Sequence, residues 1–309
     1  MHFADRLDAA IRKIGNPVCV GLDPRFDQLP KSITEEMIRQ HGRTTKAAAE
    51  AVIAFNRTLI DATADIAPVC KPQVAFYEEL GWEGLRAYAE TIRYAKEKGM
   101  LVISDAKRGD IGNTAQAYAK AHLTAASGLD GGLDADALTV NPYMGRDTLE
   151  PFLDVCAKHG RGIFVLVKTS NPGSGDLQDL STSTGKPIRD VVAEMVHALG
   201  AKHRGECGLT DVGAVVGATY PEQAKQLRAS MPDTVFLIPG YGAQGGTAAD
   251  AVAGFRADKR GAIVNNSRGI IFAYKQEPYA SQFGETDFGG AARAATIKMA
   301  AELKAALGN

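Results

Sequence analysis

Residues 102–114 read VISDAKRGDIGNT, and the change of character inside that run decides the architecture. An apolar strand pattern runs into Asp105, Lys107 and Asp110. Residues two apart on a strand share a face, so Asp105 and Lys107 point the same way. In a parallel α/β barrel the carboxyl ends of the strands form the mouth of the site, and a charged strand end belongs there. Charges in a walled mouth need partners to stay ionised, and the alternating signs of D-x-K-x-x-D provide them. Taken as three isolated charges, the segment reads first as an ion pair at an exposed strand end, where charged residues usually sit.

Outward from this segment, short apolar runs alternate with longer helical patterns. Strands are expected at 18–23, 69–76, 101–107, 137–141, 163–170, 212–218, 235–239 and 262–265. Amphipathic stretches such as 45–64 and 82–98 lie between them. Eight successive β-then-α units predict a closed (β/α)8 TIM barrel, with a doubly wound open sheet as the rival. Phe3, Leu7, Ile11 and Ile14 recur at helical spacing, and Gly15 then Pro17 stop that N-terminal helix. No composition break marks a boundary, so one domain over 1–309 is expected. Residues 171–186 and 275–290 are rich in loop formers and are expected to be long, irregular loops.

Composition narrows the function classes. The formal net charge of −1 disfavours nucleic acid as a partner, while a small anion needs only a local basic site. Cys19, Cys70, Cys156 and Cys207 are far apart in sequence, which fits a thiol-keeping cytoplasmic compartment better than a disulfide framework. No run of about 18 apolar residues suggests a membrane span, and the N-terminus lacks the apolar core of a signal peptide. The six histidines show no metal-ligand spacing and read as solvated or capping residues.

A second polar constellation comes late in the chain. PGYGAQGG at 239–246 is a Gly-rich turn after one expected strand, and Arg268 follows the next. Glycines let backbone N–H groups approach an anion and Arg adds a planar fork of donors, so the pair suits a phosphate. Lys168 has the parity of Ser170 and reads as a Schiff-base lysine or a lysine packed at a strand end. Asn141 could line the pocket or open an Asn-Pro turn. Ser174 belongs to a lid or a solvated loop, and Asn171 could contact the pocket beside Ser170.

The segments CVGLDPR (19–25), KPQVAFYEELG (71–81), SDAKRGDIGNT (104–114), TVNPYMG (139–145), VLVKTSNPGSG (165–175), PGYGAQGG and NNSRG (265–269) follow one another, each at an expected strand end. In that order they resemble the orotidine 5′-phosphate decarboxylase family, in the form of its longer bacterial branch, over roughly residues 1–275. The resemblance implies conversion of orotidine 5′-monophosphate (OMP) to UMP and CO2 in pyrimidine synthesis, without metal or other cofactor. It implies an alternating array of Lys71, Asp105, Lys107 and a neighbouring subunit's Asp110, with Lys107 protonating C6 and Asp105 beside the substrate carboxylate. Asp23 and Lys71 would hold ribose hydroxyls, and Asp110 and Thr114 would reach the ribose across a homodimer interface. Ser170 would bond the pyrimidine, Gln244 would bridge base and phosphate, and Arg268 would clamp the phosphate. Related D-x-K-x-x-D barrels leave a metal-assisted sugar-phosphate lyase or synthase as the alternative. A catalytically dead nucleotide-binding protein is the third reading.

Overall fold

The computed structural model describes residues 1–125, 132–242 and 245–308. Its eight strands are β1 (Val18–Leu22), β2 (Val69–Pro72), β3 (Leu101–Arg108), β4 (Ala137–Val140), β5 (Gly162–Lys168), β6 (Thr210–Val216), β7 (Thr234–Ile238) and β8 (Ala262–Asn266). They pair in sequence order, all in parallel, and β8 returns to β1 to close the barrel. The closed eight-stranded barrel bears out the expected fold class, and the open sheet is excluded.

The barrel interior is filled by one residue in two from each strand. Cys19, Val69, Ile103, Ala137, Phe164, Val235 and Ile263 form the apolar layer. The next inward residues toward the carboxyl ends are polar in four strands: Lys71, Asp105, Thr139 and Asn265. The floor of the site is therefore a row of polar side chains standing on a dry core.

The N-terminal helix Phe3–Ile14 seals the opposite end, and Gly15 in the left-handed conformation terminates it, as its pattern predicts. Phe3 packs edge-on against Phe164 at 6.0 Å, and Arg6 bonds Asp136 at 2.6 Å. The expected helices at 45–64 and 82–98 are Thr45–Thr63 and Gly81–Glu97.

Three expectations need correction. The second strand, expected to reach 76, ends at Pro72, and Ala75–Glu78 is a helical turn. Ladder bonds run one step past Pro72, where the Gln73 N–H donates to the Leu22 carbonyl at 3.2 Å, and buried Val74 and Tyr77 then carry the apolar pattern into the turn. The two expected irregular loops contain helices: Gly175–Gln178 in the first, Tyr279–Phe283 and the start of Phe288–Ala306 in the second. Asp287 caps that last helix by accepting from the Gly290 N–H. The histidines are not all solvated or capping, because His122 is buried behind β3 with Nδ1 at 2.7 Å from Ser104 Oγ.

All four cysteines are free thiols. Among the described residues, no helix is long and apolar enough to cross a membrane.

Candidate active site

A cavity of about 430 Å³ opens at the carboxyl ends of the strands, within the usual range for small-molecule sites. Asp23, Lys71, Asp105, Lys107, Ser170 and Arg268 all line it. Each comes from a strand or the residue or two after it, which is why one residue in two of these segments converges on one volume.

Asp105 is the hub. Its Oδ2 accepts from the Lys71 ammonium at 2.6 Å and from Gln73 Nε2 at 3.0 Å. Its Oδ1 accepts from the Lys107 ammonium at 2.7 Å and from the Thr139 hydroxyl at 2.9 Å. Burial by itself would raise the Asp105 pKa, but the ammoniums of Lys71 and Lys107 outweigh it and hold the carboxyl well below its usual range. Burial likewise opposes the charge on Lys71, and Asp105 and Asp23 overcome it, so Lys71 stays protonated well past the ordinary lysine range. The Lys71 side chain is 6% exposed and that of Lys107 43%; both line the cavity, and Lys107 is the more accessible ammonium.

Asp23 completes the charged floor from β1. Burial pushes its pKa up, against the pull of Lys71 and a hydrogen bond from Ser267. Gly21 makes room for this contact, since a Cβ there would lie 1.9 Å from Ser267 Oγ. Asn265 Nδ2 donates to Ser267 Oγ at 3.4 Å. Two buried acceptors, Asp23 Oδ1 and Asn265 Oδ1, then have no hydrogen-bond partner among the described residues. Buried acceptors without donors are costly and usually mark where a ligand or water belongs.

On the far wall, Ser170 and Asn171 border the cavity after β5, and Arg268 opens the short helix Arg268–Ile271 after β8. Lys168 is not on this wall. The β5–β6 register slips between Leu166 and Lys168, which takes Lys168 off the inward row. It is fully buried, with Nζ 2.9 Å from Asp179 and 4.4 Å from the centre of the Tyr220 ring. It is a packed, ion-paired lysine. Ser174 is buried too, 3.5 Å from the Tyr220 hydroxyl, and is not a solvated loop residue. Asn141 accepts from the Tyr143 N–H at 3.0 Å and so opens a turn.

Asp110 and Thr114 stand apart from the cavity of their own chain. Asp110 is partly exposed and Thr114 exposed on the helix Gly112–Leu123. Neither Asp110 nor Asn113 caps that helix: its N-cap is Ile111, which has no side-chain cap, and Asp110 Oδ1 accepts from the adjacent Ile111 N–H at 2.8 Å. Gln244 lies outside the described residues.

Sequence reading left Gln73, Thr139, Asn265 and Ser267 unassigned, although all four lie in segments it singled out. Parity was the available signal for three of them. Gln73 follows Lys71 by two, Asn265 follows Ile263 by two, and Thr139 follows Ala137 by two.

Residues 16–283 match the model of the orotidine 5′-phosphate decarboxylase / HUMPS family. A Rhodopirellula baltica protein named orotidine 5′-phosphate decarboxylase is 49% identical, over 98% of this chain and 99% of its own length. A Clostridium kluyveri protein of the same name is 42% identical, over 96% of this chain and 94% of its own. Among solved structures, Leishmania donovani OMP decarboxylase superposes with a TM-score of 0.74 at 33% identity, covering 100% of both chains. Leishmania donovani UMP synthase superposes with a TM-score of 0.76 at 35% identity, and there this chain spans 57% of the longer protein. With a family match over most of its length and relatives above 40% identity over nearly all of it, the chain belongs to the orotidine 5′-phosphate decarboxylase / HUMPS family.

Proposed function

We propose that this chain is an orotidine 5′-phosphate decarboxylase, taking OMP to UMP and CO2 with no cofactor. The observation that carries the reading is one buried carboxylate, Asp105, held between two ammoniums on the floor of a nucleotide-sized cavity that has an arginine at its rim. When the C6–carboxyl bond breaks, CO2 leaves and the electron pair stays on an sp2 carbon with no π sink. Fixed positive charge is then the available stabiliser, and the more accessible ammonium, that of Lys107, both supplies it and gives C6 its proton. Lys107 recovers the proton from water. Lys71, tied to Asp105 and near Asp23, keeps the floor charged and presents donors to ribose. The orphan acceptor Asp23 Oδ1 suits a ribose hydroxyl. Ser170 meets the pyrimidine and Arg268, with Gln244, the phosphate.

Asp110 and Thr114, which do not border their own cavity, would serve the site of a second copy in a homodimer. The exposed apolar side chains of Ile111, Tyr143 and Met144 support that assignment. They sit on two neighbouring loops, since a Cβ at Gly109 would lie 2.9 Å from the Asn141 carbonyl oxygen. In this reading the whole chain works as one barrel domain, and its free thiols suit the cytoplasm.

The metal-assisted alternative fits less well, because both oxygens of Asp105 are engaged by ammoniums where a divalent cation would need them. The test is to treat purified protein with a chelator, add OMP and follow the ultraviolet absorbance. UMP should form at an undiminished rate. Persistence of OMP would overturn the decarboxylase reading, and activity lost to chelator and restored by a divalent cation would favour the alternative.

A further inference from the structure

We propose that Thr139 is a positioning residue for the reaction, its one hydroxyl fixing both the backbone of Lys107 and the carboxylate that pairs with the Lys107 ammonium. The inference rests on the decarboxylase reading and extends it to a residue outside the charged set.

The argument begins with a backbone irregularity. Between β3 and β4 the register runs from Ser104↔Leu138 to Arg108↔Val140, so four steps on β3 span two on β4. The surplus residues bulge, and within the bulge Lys107 has φ 47°, a left-handed conformation that a long L side chain rarely adopts. A strand N–H displaced in this way loses its place in the ladder. The Lys107 N–H instead donates to Thr139 Oγ1 at 2.9 Å.

A threonine hydroxyl has one hydrogen. Because Oγ1 accepts from Lys107, its hydrogen is directed elsewhere, and it goes to Asp105 Oδ1 at 2.9 Å. The Lys107 ammonium lands on that same oxygen, at 2.7 Å. A closed ring results: Lys107 N–H to Thr139, Thr139 to Asp105, and Lys107 ammonium to Asp105. Thr139 is 1% exposed, so bulk water does not substitute for it. The two ends of the proton donor are thereby held by two buried oxygens, Thr139 Oγ1 and Asp105 Oδ1, which are bonded to each other. Small misplacements of a reacting group are expensive in rate, which gives the ring a catalytic consequence.

The chemistry separates positioning from mere packing. Thr139→Val keeps the shape but removes both bonds, whereas Thr139→Ser keeps both bonds and removes a methyl. Thr139→Val should lower kcat for OMP about tenfold to a hundredfold with KM changed by less than about threefold, because the hydroxyl already spends its hydrogen on Asp105 and accepts from Lys107. Thr139→Ser should stay within about threefold of wild type on both measures. Should Thr139→Val fail to fold, Thr139→Ala carries the same comparison. Wild-type kcat in a folded Val or Ala variant would overturn the proposal. So would a Ser variant as impaired as the Val one, which would assign the effect to packing. Wild type runs alongside in the same OMP assay: no turnover there overturns the decarboxylase reading, while wild-type turnover with an unimpaired Val variant overturns the role of Thr139 alone.

Discussion

Lys107 shows how a single residue is held in an expensive state. A non-glycine backbone at positive φ costs on the order of 1–3 kcal/mol and persists only where its surroundings over-determine it. At φ 47° the surroundings are the Thr139 hydroxyl at the N–H and Asp105 at the ammonium. The strain is local to the group that would move the proton, which is the pattern expected of a pre-organised donor. Lys107→Ala should therefore nearly abolish OMP turnover while the protein still melts cooperatively and binds UMP. Part of the strain remains in that variant, since alanine also has a Cβ, so little gain in stability is expected. Near-normal kcat in the folded variant would remove Lys107 from the role of donor. With wild type in D2O, deuterium should appear at C6 of UMP, as read by NMR.

At the scale of elements, β3 carries chemistry on one face and a buried polar chain on the other. Behind Asp105, the Tyr88 hydroxyl lies 2.8 Å from Ser104 Oγ, and Ser104 Oγ lies 2.7 Å from His122 Nδ1 on the helix Gly112–Leu123. Burial, helped by the nearby Arg108 charge, pulls the His122 pKa down to about 4. Its unfolded value is about 6.5. Between those limits the unfolded chain binds the proton and the native fold does not, so stability must fall as pH falls. The loss should be about 2 kcal/mol by pH 5 and about 3 kcal/mol near pH 4. Urea unfolding of wild type and His122→Gln at pH 7 and pH 5 isolates this term from the carboxylates. Equal pH dependence in the two proteins would mean that His122 is protonated in the fold. The same region shows what was legible in the sequence. Strand β3 and the inward face of Asp105 follow from a period of two, and all eight strands announced themselves as apolar runs; Lys107 reaches the same cavity through a bulge that the period does not contain. Thr139 did not, because a threonine in a strand looks like ordinary β-former chemistry. Its role arises only from a bulge in the pairing of β3 with β4. His122 was hidden for a like reason: its partner Ser104 is 18 residues away on another element. The end of β2 was missed because Val74 and Tyr77 prolong an apolar pattern into a buried turn.

For the whole molecule, the barrel divides its labour by ends. The helix Phe3–Ile14 and the apolar layer close one end, and the Asp23-to-Arg268 ring of polar residues occupies the other. That ring includes every candidate contributed by strands β1, β2, β3, β5 and β8, yet Asp110 and Thr114 lie just past it. A two-fold axis near this rim would carry them into a second site reciprocally. Mixing inactive variants tests this without a structure of the assembly. Lys107→Ala and Asp110→Asn homodimers should each be nearly inactive. In a heterodimer of shared sites, one site receives both lesions and the other neither. Random reassortment of equal amounts makes half the dimers mixed, with one intact site in each, so about a quarter of wild-type activity should return to the whole mixture and about half to the heterodimer purified from it. The two variants, differently tagged, are subunit-exchanged and the mixed species captured through both tags before OMP loss is measured. If Asp110 acts only within its own chain, every site carries one lesion and the captured heterodimer stays inactive. Failure to capture any mixed species while wild type runs as a monomer would remove the dimer itself.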